Sequence, residues 1–261
     1  MQHAHFEVVR ALDPGPVVVE IPHAGLTIDE ASARFTTVPV DVERRGAREA
    51  DADFGADLVW LGSEAWGITR IVARTHRYVI DLNTNPRPPP QPPFYEEDPE
   101  PRPIIRRSAA GVSWREPALP RHEVARRVDE IFEPYHAAVD VELTRSRARY
   151  GRVVLLASHT FPASAATKAD AVLGTQEGRT LEPELREAIA DVLRAAGLAV
   201  ALEAPFPGGH SLTRHARIEA GVFAVQLELA RRLVADPSGV DHLRGVTQAM
   251  VGVIRERITI R

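Results

Sequence analysis

One stretch of the chain decides the predicted fold: Val153-Val154-Leu155-Leu156-Ala157-Ser158-His159-Thr160. This apolar run predicts a buried β-strand over residues 153–157, and the run stops abruptly at a histidine. Because open α/β sheets hold their ligands at the carboxyl ends of their strands, we expect His159 to lie at a ligand-binding edge. Neutral imidazole is a usual zinc ligand in such a place.

A second stretch has the same form. It consists of Val18-Val19-Glu20-Ile21-Pro22-His23-Ala24-Gly25 and puts His23 at the end of another predicted strand. Either histidine alone is explained as a hydrogen-bonded structural residue. Two of them at strand ends favour part of a metal site, since a catalytic zinc ion commonly takes three protein ligands and one water.

The rest of the chain alternates short apolar runs with amphipathic segments. Predicted strands cover residues 17–21, 67–73, 78–82, 153–157, 198–202 and 222–227. Predicted helices cover residues 53–64, 121–149, 182–196 and 242–257. Such alternation is typical of an α/β fold with much parallel pairing. The sequence contains no internal repeat and no second linker, so we expect a single domain over residues 1–261.

Residues 86–103 have a different composition, with proline at half of their positions. Proline removes a backbone donor and fixes φ, which excludes a helix or a central strand here. We interpret the segment as a stiff, polyproline-like excursion over the surface. The alternative is a docking site for a partner that recognises proline.

Composition narrows the class of protein. The chain has 261 residues, 44% of them hydrophobic, and a formal net charge of −4 with the two signs interspersed. It offers no basic face for nucleic acid and no apolar run long enough for a membrane, so we expect a cytoplasmic protein that acts on a small molecule. With no cysteine, any zinc site must use histidine and carboxylate, the ligand set more typical of catalytic zinc.

A third ligand is expected in the acidic cluster Glu49-Ala50-Asp51-Ala52-Asp53-Phe54-Gly55-Ala56-Asp57, at the start of a predicted helix. Helix capping is an equally good explanation for any one of these acids. The cluster therefore supplies candidate ligands without distinguishing among them.

Glu228 ends a predicted apolar strand, and Gln226 points to the same face. Burying an unpaired carboxylate there is unfavourable. Either a basic neighbour neutralises Glu228, or the carboxylate faces a cleft as a general base with a shifted pKa.

Two polar clusters have the chemistry of substrate binding. Asn83 follows the predicted strand 78–82 in a turn, and turn chemistry alone explains it. Arg214 and His215 follow the loop that contains Gly208 and Gly209. Turn chemistry does not require this pair, which is suited to binding a substrate carboxylate.

The order of motifs resembles the N-formylglutamate amidohydrolase family over nearly the whole chain. The motifs are Ile21-Pro22-His23-Ala24-Gly25, Asp51-Ala52-Asp53-Phe54 with Asp57 and Trp60, Arg77-Tyr78-Val79-Ile80-Asp81-Leu82-Asn83, Pro134-Tyr135-His136, Ser158-His159, Ala204-Pro205-Phe206 with Gly208-Gly209, Thr213-Arg214-His215, and Gln226-Leu227-Glu228. The resemblance implies a three-layer α/β fold with a mixed, mostly parallel central sheet of the phosphorylase/hydrolase-like type, similar to the zinc carboxypeptidases. It also implies a metal-dependent amidase that releases formate from N-formyl-L-glutamate, late in histidine breakdown.

Carried over by position, the resemblance implies roles for particular residues. It makes His23, His159 and Asp53 the metal ligands, with Glu49 and Asp51 as alternatives to Asp53. It makes Glu228 the residue that activates water. The residues that it assigns to the substrate are Asn83 and Arg214, with His215 close enough to polarise or orient.

One position departs from the family pattern. Thr84 stands where relatives typically have Arg after the Asp-Leu-Asn motif, so the chain lacks a planar fork for a carboxylate at this point. Arg77 and Arg87 are the candidate replacements. The departure leaves open two alternative functions, which are hydrolysis of a different N-acyl amino acid, including a carboxypeptidase-like cleavage, and non-catalytic ligand binding.

Overall fold

A twisted sheet holds the candidate residues in place. The structure is a computed structural model that describes residues 3–35, 51–86, 104–105, 119–163 and 167–259. In this part of the chain the strands are β1 (Phe6–Val9), β2 (Val17–Ile21), β3 (Thr69–Ala73), β4 (Val153–Phe161), β5 (Ala171–Gly174), β6 (Val200–Leu202) and β7 (Val222–Ala230). They form one sheet in the order β1-β3-β2-β4-β7-β5-β6.

Four central strands run in the same direction. β3, β2, β4 and β7 pair parallel to one another, whereas β1 is antiparallel to β3 and β5 is antiparallel to β7. The predicted mixed, mostly parallel α/β sheet is thereby confirmed. β4 and β7 pair along their whole length, and their register sets His159 beside Glu228.

Helices cover both faces of the sheet. They are α1 (Glu30–Ala33), α2 (Arg121–Arg127), α3 (Glu133–Tyr150), α4 (Pro183–Ala195), α5 (His210–His215) and α6 (Pro237–Thr259). A π-helical turn, Val128–Phe132, joins α2 to α3 into one long helix. Short 3-10 turns occupy Leu58–Trp60, Ser63–Trp66, Ile218–Ala220 and Arg231–Val234.

Alternating side chains of the strands build two cores. Val17, Val19 and Ile21 face a core shared with α4 and α6, and Val18 faces a core shared with α3. Each fully buried aliphatic side chain contributes about 1.5–3 kcal/mol relative to exposure. The three layers that result leave the carboxyl ends of the parallel strands at one edge.

The predicted strand over residues 78–82 is wrong. The backbone turns there, because the amide of Tyr78 donates to His76 Nδ1 (3.1 Å) and that of Val79 donates to the His76 carbonyl (2.9 Å). The apolar side chains of the segment are buried in the α3 core, which gives them the composition of a strand without its backbone.

The predicted helix over residues 53–64 is also wrong. Gly55 has φ +81°, outside the right-handed helical region, so the chain turns and then forms only short 3-10 turns. Two strands of four residues, β1 and β5, were not predicted from the sequence.

Two further expectations from the sequence concern the proline-rich segment and membrane crossing. Apart from Pro86, the predicted proline-rich excursion at 86–103 lies outside the described residues, as do Arg87 and Glu49. None of the described helices combines the length and the apolarity that a membrane crossing requires.

Candidate metal centre and active site

Three buried side chains meet at the carboxyl edge of the sheet. His23 follows β2, His159 lies near the end of β4, and Asp53 stands in the loop before the first 3-10 turn. The backbone amide of Asp53 donates to the His23 carbonyl (2.9 Å), which brings the loop against the end of β2.

The nearest polar atoms of these three side chains converge. His159 Nδ1 donates to Asp53 Oδ2 at 2.7 Å, and His23 Nδ1 lies 3.5 Å from the same oxygen. One ligand atom from each residue lies within 4.8 Å of the other two. Among the described residues, the buried His23 Nδ1 has no hydrogen-bond partner. Two imidazole nitrogens and a carboxylate oxygen are a donor set that binds divalent metal ions in other proteins, and the arrangement fits such an ion.

Asp81 holds His23 from the opposite side. His23 Nε2 donates to Asp81 Oδ1 at 2.9 Å, which leaves Nδ1 as the nitrogen that faces Asp53. Arg77 donates to Asp81 Oδ2 (2.6 Å), and the backbone amide of Asn83 donates to Oδ1 (2.8 Å). A carboxylate behind a histidine ligand fixes its ring and raises its basicity.

The charges of this cluster shift its pKa values in opposite directions. Burial and Arg77 oppose protonation of His23, but Asp81 and Asp53 outweigh them and raise the pKa of His23 to about 9. Burial favours the neutral form of Asp53, yet hydrogen bonds from His159 and His23 hold the pKa of that carboxyl well below its usual range. The centre therefore keeps an ionised carboxylate between two imidazoles.

Glu228 lies beside His159 on the neighbouring strand. Its side chain is buried and accepts a hydrogen bond from Gln226 Nε2 at 2.9 Å. Burial raises the pKa of Glu228 to about 7, against the opposing effect of His159. A carboxyl group that titrates near neutrality suits general acid–base chemistry.

Asn83 links Glu228 to the cluster of His23, Asp53 and His159, called the metal cluster below. Its Nδ2 donates to Gln226 Oε1 (3.1 Å) and to His159 Nε2 (3.3 Å), and its Oδ1 accepts from the amide of Ser211 (3.0 Å). The Asn83 amide is thus held on both sides, and it extends a chain of hydrogen bonds to Glu228.

The double-glycine loop fits closely against Asn83. A Cβ at Gly209 would lie only 2.3 Å from the Asn83 side-chain amide, so a larger residue would displace it. The amide of Gly209 also donates to Gln226 Oε1 (2.9 Å). The local role of this loop is therefore to position Asn83 and Gln226.

These residues surround an open cavity of about 430 Å³. Its apolar wall includes Phe161 and Phe206, whose ring centroids are 5.3 Å apart. The polar lining consists of His23, Asp51, Asp53, Arg77, Tyr78, Asp81, Asn83, Thr84, His159, Thr160, Gln226, Glu228 and Arg231. The cavity has the size and lining of a small-molecule site.

The structure brings most of the sequence-derived candidates to this cavity. The predicted residues that line it are His23, Asp53, Arg77, Asn83, His159 and Glu228. Asp51, an alternative ligand, also lines it, where it accepts a hydrogen bond from the Tyr78 hydroxyl, and it lies outside the three-residue cluster.

Arg214 and His215 lie elsewhere, and neither is among the described residues that line the cavity. Arg214 donates to Glu133 (2.7 Å) and stands over the Phe132 ring. His215 is buried between His136 and Asp140.

Among the charged residues that line the cavity, Asp81 and Arg231 were not assigned from the sequence. Asp81 falls within the quoted Asp-Leu-Asn motif, so its spacing to Asn83 was a usable signal. Arg231 follows β7 directly, and its distance of three residues from Glu228 at the strand end was the corresponding signal.

Comparisons with known proteins agree with the geometry. The family model described as N-formylglutamate amidohydrolase matches residues 15–235. An N-formylglutamate deformylase of Pseudomonas aeruginosa is 27% identical over 257 residues, covering 92% of this chain and 90% of that protein. One of Pseudomonas putida is 29% identical over 224 residues, covering 83% of this chain and 80% of that protein.

A solved structure supports the same fold. The crystal structure of N-formylglutamate amidohydrolase from Ralstonia eutropha JMP134 has a TM-score of 0.80 and 24% identity, and the match covers 98% of each chain. The family match extends from before β2 to the 3-10 turn after β7, and it includes the whole candidate site. The chain belongs to the N-formylglutamate amidohydrolase family.

Proposed function

We propose that this protein is a metal-dependent amidohydrolase that cleaves N-formyl-L-glutamate to formate and glutamate. The observation that carries the proposal is the convergence of His23, Asp53 and His159 beside Glu228 in one cavity. The names of the two Pseudomonas relatives support the choice of substrate.

We assign the metal to His23, Asp53 and His159, with zinc as the ion. The unpartnered Nδ1 of His23 supports this assignment, since a buried polar atom without a partner is unfavourable unless something else binds it. When bound, zinc would supply a water of strongly lowered pKa and a positive charge for the developing oxyanion. Asp81 acts through His23, whose ring it orients.

Glu228 performs the proton transfers. It accepts a proton from the attacking water, the water oxygen bonds to the formyl carbon, and the carbon–nitrogen bond then breaks. Glu228 returns the proton to the leaving amine, so that formate and the free amino acid result. Its pKa of about 7 lets it take up and release a proton near neutral pH.

Gln226 and Asn83 orient this general base. The Gln226 amide donates to Glu228 Oε1, which leaves the second carboxylate oxygen for the water. Asn83 holds Gln226 in turn. Arg77 donates a hydrogen bond to Asp81. We therefore propose that Arg77 affects substrate binding indirectly, through its positive charge beside the cluster of His23, Asp53 and His159.

The test is Glu228→Gln in zinc-loaded protein. We expect unchanged zinc content and a fall in kcat for formate release of about 100- to 10,000-fold, because general acid–base catalysis is lost. Thr160→Val is the matched control, since Thr160 lines the same cavity and donates only to a backbone carbonyl. Full activity of Glu228→Gln on N-formylglutamate would exclude the role of Glu228.

Thr84 favours a second candidate, the hydrolysis of another N-acyl amino acid. It lines the cavity with a hydroxyl and no charge. A screen of N-formyl, N-acetyl and N-succinyl amino acids with metal-reconstituted protein separates the two. Formate release from N-formylglutamate alone supports the first proposal, and turnover of another N-acyl amino acid alone supports the second. Protein that neither retains zinc nor turns over any of these compounds would be a ligand-binding relative.

A further inference from the structure

We infer that Phe206 binds the side chain of the substrate, and that the proposed hydrolase therefore also deformylates N-formyl amino acids with apolar side chains. The inference rests on the proposed function, since it names a substrate class for that same cavity. Phe206 lines the cavity in its apolar wall, together with Phe161.

The apolar wall begins close to the metal cluster. Phe161 is the last residue of β4 and lies two positions after His159, so the two side chains leave the strand on the same face. Two residues of a parallel strand span about 7 Å. In an N-formyl amino acid, only the nitrogen and the Cα separate the formyl carbon from the side chain. A formyl group at the metal cluster would therefore leave the side chain within reach of this wall.

Phe206 offers the accessible surface of the wall. Phe161 is 4% exposed and belongs to a small buried core with Val172 and Ala230, against which Phe206 packs. The ring of Phe206 is tilted by 44° to the ring of Phe161. Phe206 itself is half-buried, so part of its side chain remains accessible where it lines the cavity.

The backbone around Phe206 is held firmly in place. A Cβ at Gly174 would lie 2.4 Å from the Phe206 carbonyl oxygen, so only glycine permits this close approach of the loop to β5. The amide of Gln176 donates to the Pro207 carbonyl (2.7 Å), and its side-chain amide donates to the Gly208 carbonyl. The wall is therefore formed before a substrate arrives, which lowers the entropy cost of binding.

Glu203 fixes the start of the same loop. Its backbone is left-handed (φ +63°), a conformation that residues other than glycine rarely adopt. Its carboxylate accepts hydrogen bonds from the amides of Thr175 (3.1 Å) and Glu177 (3.1 Å) and from Arg186 (3.2 Å). These bonds hold the loop three residues before Phe206.

The chemistry of the wall favours an apolar group. A phenyl ring offers no donor to a carboxylate, so a charged group packed there would lose water without gaining a hydrogen bond. An apolar side chain gains free energy from the same contact, because its surface is removed from water. Thr84, which also lines the cavity, adds a hydroxyl and no charge.

The experiment compares Phe206→Ala and Phe206→Leu with wild-type zinc-loaded protein. The substrates are N-formylleucine, N-formylglycine, which has no side chain, and N-formylglutamate, whose turnover tests the proposed function in parallel. Trp66→Ala is the matched control. Trp66 is also a half-buried aromatic residue, but it precedes β3 at the opposite edge of the sheet and is not among the described residues that line the cavity.

In wild type we expect kcat/KM for N-formylleucine to exceed that for N-formylglycine by about 10-fold or more, the worth of a small apolar contact in a pocket. Phe206→Ala should abolish most of this ratio and leave kcat/KM for N-formylglycine within about twofold of wild type. Phe206→Leu should keep most of the ratio, because it retains apolar surface. Trp66→Ala should keep all of it.

Three results would overturn the inference. They are a wild type that does not prefer N-formylleucine, a ratio that is unchanged in Phe206→Ala, and an equal fall for both substrates in that variant. An equal fall would mean that Phe206 only holds the loop of Gly209 against Gln226.

Dissociation constants measured by calorimetry separate this inference from the proposed function. If wild type releases no formate but binds N-formylleucine more tightly than N-formylglycine, and Phe206→Ala loses this preference, the proposed function fails and the assignment of Phe206 holds. If wild type hydrolyses N-formylglutamate without preferring N-formylleucine to N-formylglycine, the proposed function holds and the assignment fails. Wild type that neither binds nor hydrolyses any of the three compounds overturns both.

Discussion

The described part of the chain contains two buried histidine clusters that differ in where their ring nitrogens point. In the metal cluster, Nδ1 of His23 and of His159 approach one oxygen of Asp53. In the second cluster, Nδ1 of His136 and Nε2 of His215 face each other at 2.8 Å. The first arrangement converges on a point that a cation can occupy, and the second pairs its atoms directly.

The second cluster satisfies each of its ring nitrogens with protein atoms. His136 Nε2 lies 2.9 Å from the Leu82 carbonyl, which can only accept, so Nε2 donates and Nδ1 accepts from His215. His215 Nδ1 donates to Asp140 at 2.8 Å. Burial, with His215 and Arg214, holds the pKa of His136 well below its usual range. The comparison teaches that ring nitrogens converging on one carboxylate oxygen, one of them unpaired, distinguish a candidate ligand site from a structural network of the same residue types.

The largest effect should come from replacing a histidine of the metal cluster. In His159→Ala two ligand atoms remain, so we expect near-stoichiometric zinc to fall to almost none, with loss of amidase activity. Elemental analysis after dialysis measures the zinc. His136→Ala is the matched control from the second cluster, and it should keep its zinc.

Equal zinc loss in the two variants would break the comparison, because the second cluster would then be part of the metal site. A thermal melt of each protein separates ligand loss from unfolding. Replacement of His23 by Ala should behave as His159→Ala does.

A smaller effect should follow from changing the carboxylates behind each cluster. Asp81→Asn keeps an acceptor for His23 Nε2 but removes the charge that raises its basicity, so zinc affinity should fall about 10- to 100-fold. Asp140→Asn makes the same change behind His215 and should leave zinc affinity unaltered. Competition with a chromophoric chelator measures both. If the two variants lost affinity equally, Asp81 would have no special relation to the metal.

Much of the fold could be predicted because each central strand has a hydropathy pattern that is recognisable within its own short segment. β4 and β7 are buried along their whole length, so they appear as continuous apolar runs. Residues 78–82 have a similar composition, but their backbone is set by the side chain and carbonyl of His76. A hydropathy pattern contains no information on that turn, and the strand prediction failed for this reason.

The residues of the candidate site also differ in how far the sequence predicts their positions. His23, His159 and Glu228 end strands, and strand ends on one edge can be placed from the sequence. Asp81 reaches His23 across 58 positions of the chain, and no local pattern reports such a contact. His215 shares a motif with Arg214, yet its ring turns into the core towards His136, a direction that depends on the packing of α5 against α3.

A third prediction concerns stability rather than metal. His215→Leu removes the donor to His136 Nδ1 and leaves that buried nitrogen unpaired, so the free energy of unfolding should fall by about 1–3 kcal/mol. Denaturant unfolding of the zinc-loaded protein measures the change, and zinc content should not alter. A loss of substrate affinity without a loss of stability would instead place His215 in the substrate site.

The smallest effect is expected for Arg214. Its ion pair with Glu133 is partly exposed, with side-chain exposures of 25% and 41%, and it adds a cation–π contact with Phe132. Such interactions contribute about 0.5–1 kcal/mol each, so Arg214→Gln should lower stability slightly and leave KM for N-formylglutamate within about twofold of wild type. Glu133→Gln should produce a similar loss of stability. A rise in KM of about tenfold or more would instead show that Arg214 contacts the substrate.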